Sequence, residues 1–149
     1  MKYSEARPGR IFVIRLEDGE ILHEAVEKFA AEQGVERAYL VALGGAGKGS
    51  TLVVGPEDPD ERPVPPLTRI LDNVHEIAGV GTLFPGEDGK PMLHIHLACG
   101  RDDKTITGCG RTGVEVWQVA EVILVELTGT GARRRLDEET GFELLQPEG

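Results

Sequence analysis

One stretch of this 149-residue chain carries a helical hydrophobic period, and that limits what the rest can build. Leu22, Ala25, Val26, Phe29 and Ala30 recur at the spacing of one apolar helix stripe, which predicts a helix over about 20–33. Gly34 stands where a left-handed C-terminal cap belongs, and Asp18 or Gly19 is placed to cap the start. Elsewhere the chain reads as short runs of β-branched, aromatic and aliphatic residues between Gly, Pro and Asp turns: 9–16, 35–42, 50–54, 67–71, 74–84, 92–98, 105–110, 114–117 and 120–127. The tail offers edge strands within 128–135 and 141–145. Strands joined mostly as hairpins, with one helix, predict an α+β fold: a curled, largely antiparallel mixed sheet of about seven to nine strands packed on one main helix. The length suits a single domain over 1–149, with its core at about 9–127 and a C-terminal tail at 128–149.

The formal net charge is -10, which argues against binding nucleic acid through phosphate neutralisation. Arg133-Arg134-Arg135 is the one basic run, and it reads as a solvated strand or loop face. No run of apolar residues approaches membrane-spanning length, and residues 1–8 lack the apolar segment of a signal peptide, so a cytoplasmic location is expected. Two cysteines make no disulfide framework.

The segment Leu43-Gly44-Gly45-Ala46-Gly47-Lys48-Gly49-Ser50 invites a phosphate-loop reading, and the reading fails. Lys48 is followed by Gly49, Ala42 stands where the first glycine is needed, and a strand follows instead of a helix. These glycines instead suit a bulged, closely packed connection between strands.

The candidate chemistry lies in Met92-Leu93-His94-Ile95-His96-Leu97-Ala98. Strand alternation puts His94 and His96 on one face and Leu93, Ile95 and Leu97 on the other. A two-residue turn at Asp102-Asp103 would pair Arg101 with Lys104 and set His96 opposite Cys109. Two imidazoles and a thiolate then converge, a donor set that suits zinc, with a fourth position open. A one-residue slip would turn Cys109 to the other face. In the neighbouring hairpin, pairing Phe84 with Pro91 sets Gly81 opposite His94 and Gly79 opposite His96. Those glycines read either as a hollow above the imidazoles or as a bend in the sheet. His75, on the same expected face, is a candidate at the rim of the pocket. The competing reading of the His pair is that each ring satisfies a backbone carbonyl.

The order of these motifs resembles the plant-and-prokaryote conserved (PPC) domain. The resemblance rests on residues 9–20, on the Gly-rich segment 44–52, on Glu76 to Leu83, on Leu93-His94-Ile95-His96-Leu97-Ala98, on Thr107-Gly108-Cys109 and on Ala120 to Leu124. It implies a mixed sheet with a helix packed on it, a homotrimer, and a divalent metal at the H-x-H strand. It further implies a third ligand from a Gly-His on the next strand, where this chain has Gly108-Cys109.

The resulting expectation is a divalent metal, Zn2+ first, held by His94, His96 and Cys109 in a pocket sized for a small-molecule ligand. A DNA-associated module is the alternative implied by the family label. A metal-dependent lyase is another, since the fold group is similar to acetolactate decarboxylase.

Overall fold

In the computed structural model, which describes residues 1–147, a β-α-β unit opens the chain. Strand β1 (Arg7–Glu17) leads into helix α1 (Leu22–Gln33) and strand β2 (Ala38–Ala46). Strands β3 (Thr51–Pro56), β4 (Pro66–Ile70), β5 (His75–Pro85), β6 (Pro91–Arg101), β7 (Lys104–Cys109) and β8 (Val116–Thr128) follow, then β9 (Arg133–Leu136) and β10 (Glu143–Gln146). Eight strands form one sheet in the order β1-β8-β2-β5-β6-β7-β3-β4. The end of the expected tail, residues 148 and 149, lies outside the described residues.

Three expectations about the sheet are corrected. Every strand pair among the described residues is antiparallel, so the sheet is not mixed. The crossover through α1 makes β1 and β2 parallel to each other, but β8 inserts between them and runs against both. The sheet is also open instead of strongly curled, with β1 and β4 at its edges. The tail strands β9 and β10 pair with each other and do not extend either edge.

Helix α1 covers one face of the sheet. Its Leu22, Val26 and Ala30 are fully buried, in one cluster with Leu40, Leu93, Ile95, Leu97 and Leu124. Burying each large aliphatic side chain contributes about 1.5–3 kcal/mol, and this shared stripe holds the helix to the sheet. Gly34 ends the helix at φ 65, with its N–H on Ala31 O and the next N–H, of Val35, on Ala30 O. The start departs from expectation. Ile21 is the N-cap residue, with no side-chain cap, and the Leu22 N–H bonds to Val114 O.

Asp18 instead accepts from the Gln118 N–H at 2.6 Å. Gln118, at φ 64, marks a bulge that β8 makes against β2 between Gly44 and Gly45. A side chain on Gly44, at φ 145, would overlap the Val119 carbonyl, so the glycine-rich stretch serves a close backbone approach. That bulge is why the sequence divides β8 in two where the chain continues as one strand. No helix among the described residues is long and apolar enough to cross a membrane.

Candidate metal centre

The site is built on β6. Alternation buries Leu93, Ile95 and Leu97 completely on the helix side and turns His94 and His96 to the outer face. The Leu93 N–H donates to Glu27 Oε1 of α1 at 2.8 Å, which ties the histidine strand to the helix beneath it. The turn after β6 has the two-residue length expected: Arg101 pairs with Lys104, and Asp102 takes φ 52. The register that follows sets His96 opposite Cys109, and Val53 of β3 flanks Cys109 on its far side.

His94, His96 and Cys109 are thereby brought together. One donor atom from each lies within 4.8 Å of the other two. The rings of His94 and His96 meet edge to face, with Nε2 to Nε2 at 3.1 Å. Tetrahedral zinc with Zn–N of about 2.0–2.1 Å places two ligating nitrogens about 3.3 Å apart, so the imidazoles stand close to ligating geometry. Burial, then the positive charges of Arg134, His96 and Arg111, push His94 down to about 4. Its ring is therefore neutral at pH 7, the form that ligates metal. The second cysteine, Cys99, faces the core between Ile77 and Ile106, and burial raises its thiol to about 11.

The two glycines do not lie opposite the imidazoles. Pro85 pairs with Pro91, one residue away from the expected register, so Gly81 faces Ile95 and Gly79 faces Leu97. Thr82 lies opposite His94 and Val80 opposite His96. A side chain at Gly79 would overlap Leu97 Cδ2, so these glycines make room for core side chains. His75 shares their face and leaves the site for the same reason. It is buried, and its Nδ1 donates to the Asn73 carbonyl at 2.8 Å.

The tail supplies what sequence reasoning missed. β9 lies against β5 on the outer face, and its second residue, Arg134, is 4% exposed. Arg134 Nη2 donates to Thr82 Oγ1 at 3.0 Å, beside His94, and Nη1 donates to the Glu143 backbone carbonyl at 3.4 Å. Burial and the nearby Arg111 lower the pKa of Arg134, while Glu143 and Cys109 act to raise it. Arg111, just past β7, reaches Met92 Sδ at 3.5 Å and Glu143 Oε2 at 3.9 Å. Two guanidinium groups thus border the His/His/Cys cluster. Strand alternation within Arg133-Arg134-Arg135 was the one available signal, since it sets the middle side chain apart from its neighbours.

The Plants and Prokaryotes Conserved (PCC) domain matches residues 3–128. The chain belongs to this family. The solved structure of a metal-containing protein from Archaeoglobus fulgidus is 28% identical with a TM-score of 0.85, over 98% of this chain and 99% of that one. A plant- and prokaryote-conserved protein from Pyrococcus horikoshii is 23% identical with a TM-score of 0.80, over 97% of this chain and 99% of that one. Among curated proteins, the Bifunctional protein GlmU of Synechococcus sp. (strain JA-3-3Ab) is 25% identical over 134 residues. The PCC chain covers 89% of itself in that match but spans 20% of the relative's length. The family resemblance read from the motifs is therefore correct.

Proposed function

We propose that this PCC-domain protein holds a divalent metal, zinc first, on His94 Nε2, His96 Nε2 and Cys109 Sγ. The 3.1 Å approach of the two Nε2 atoms beside the thiol carries the reading. The metal-containing relative from Archaeoglobus fulgidus supports it. Three protein donors leave a fourth position for a small ligand, the pattern of catalytic zinc sites. Such an ion, when bound, acidifies water or polarises a carbonyl. The chain's own contribution is orientation: β6 and β7 fix the three donors, and the Glu27 bond to the Leu93 amide holds β6 in place.

Metal content after purification without added metal, and again after incubation with zinc, tests this. An equimolar content that His96→Ala and Cys109→Ala both abolish is expected. A parent that takes up no zinc, or variants that keep the parent's content, would overturn it.

The same proposal includes self-association, in threes as the family resemblance implies. Val13, Ile123, Val41 and Val80 lie in one cross-sheet row that continues directly into His96 and Cys109. Their exposures are 84%, 38%, 41% and 64%, and an apolar face of this kind is uncommon on a free monomer. Light scattering measures the mass; a monomer would remove this part of the proposal.

A further inference from the structure

Arg134 presents a problem that metal binding does not answer. An arginine that is 4% exposed carries a desolvation cost unless its charge and its N–H groups are matched. Its two hydrogen bonds go to neutral oxygens, Thr82 Oγ1 and the Glu143 carbonyl. Its Nε is buried and has no hydrogen-bond partner among the described residues. The nearby Glu143 carboxylate is drawn toward Arg111, with Oε2 at 3.9 Å from Nη1. A second cation beside the first adds repulsion instead of relief.

The location gives these guanidinium groups a use. Thr82, which Arg134 touches, is the cross-strand partner of His94, and directly opposed residues have Cβ atoms about 4.5–5.5 Å apart. The chain as a whole carries a net charge of -10, yet here two arginines flank the His/His/Cys cluster. Planar guanidinium groups with free donors match carboxylate and phosphate oxygens.

We infer that Arg134, with Arg111 beside it, forms an anion subsite next to the His94/His96/Cys109 cluster. It takes a small ligand bearing a carboxylate or a phosphate. The anionic group sits on the Arg134 guanidinium, and the rest of the ligand extends toward the three metal donors. This deepens the metal proposal and rests on it for the second half of the pocket, while the arginine half stands on its own contacts.

Isothermal titration of the full chain with sodium acetate and, separately, with inorganic phosphate tests the inference. Each is run on the metal-loaded protein and on protein stripped with a chelator. Saturable binding of at least one anion is expected, and the stronger of the two identifies the group recognised. Arg134→Lys keeps the charge and loses the planar fork, so affinity falls by about tenfold or more. Arg111→Ala, at a partly exposed side chain, weakens binding in the same direction and serves if Arg134→Lys fails to fold. Metal content stays at the parent value in both variants.

A metal-loaded parent that binds neither anion overturns this inference and leaves the metal reading standing. Binding that persists unchanged in the folded arginine variants overturns it as well. Arginine-dependent anion binding by a chain that takes up no metal supports the subsite and removes the metal reading.

Discussion

Replacing Gly79 by alanine probes the β5–β6 register that decides what surrounds the histidines. In the structure the new methyl points at the core, overlaps Leu97 Cδ2 and comes within 3.0 Å of the His96 carbonyl. Leu97 is fully buried, so its side chain has little room to turn away. Overpacking of this kind costs about 1–3 kcal/mol. Removing a glycine from a strand returns about 0.5–1 kcal/mol. The net loss is about 0–2.5 kcal/mol, a fall in Tm of up to roughly 10 °C for a domain of this size. Gly100→Ala on β6 is the control, because its methyl meets nothing nearer than Thr105 Oγ1 at 3.7 Å. It is expected to be neutral or to stabilise by up to about 1 kcal/mol. Differential scanning calorimetry of both variants gives the comparison. A third protein, Gly79→Ala with Leu97→Ala, should show coupling of about 0.5–3 kcal/mol, since the smaller Leu97 substitute frees the space the methyl needs. If Gly79→Ala raised Tm as Gly100→Ala does, the glycine would face open space, and the reasoning from this register would be refuted.

Other perturbations test other parts of the account. Glu126 is held down to about 2, chiefly by the Arg10 side chain, which meets it at 2.8 and 2.7 Å, and by the Arg10 N–H at 3.0 Å. The folded chain favours the ionised carboxylate, so its contribution is full above the ordinary value of 4.5 and is lost as pH falls toward 2. With Arg10 half exposed, Glu126→Gln should cost about 0.5–1 kcal/mol in urea unfolding at pH 7 and only a small part of that near pH 2; an equal loss at both would show that the ion pair is not the source. Leu97→Ala alone should cost about 2–5 kcal/mol by the same method, and a loss well below that range would mean that the helix face of β6 is less tightly packed than described. Val80→Asp introduces a charge into the exposed row beside His96 and should lower the mass seen by light scattering, with a Tm that no longer rises with protein concentration; an unchanged mass would count against this row as an association surface.

What could be read from the sequence depended on how tightly each feature was constrained locally. The helix was legible because its stripe and Gly34 agree on one end point. The His96–Cys109 pairing was legible because a two-residue turn leaves a single register, Arg101 to Lys104. The hairpin before it was not. Its connection spans Gly86 to Lys90, closed by a Gly86 N–H to Lys90 O bond, and a loop of that length accepts either of two registers. The small residues Ala78, Gly79 and Gly81 gave alternation no hydrophobic contrast with which to choose, so a one-residue error moved His75 and both glycines to the wrong face. Arg134 was hidden for a different reason. Its burial comes from the β9–β10 hairpin folding back over Thr82, a contact between residues 52 positions apart in the chain. Three consecutive arginines look alike until that contact forms. The absence of parallel pairing was likewise a matter of order, decided by where β8 inserts between β1 and β2 and not by any local pattern.

The central claim is that the outer face of β6 and β7 is a metal centre. Crystals of protein purified without added metal and soaked in zinc, measured above and below the zinc absorption edge, test it most directly. The account predicts an anomalous peak bonded to His94 Nε2, His96 Nε2 and Cys109 Sγ, which vanishes in Cys109→Ala crystals treated the same way. A zinc-soaked crystal with no peak among those three atoms, or a peak that Cys109→Ala leaves unchanged, would contradict it.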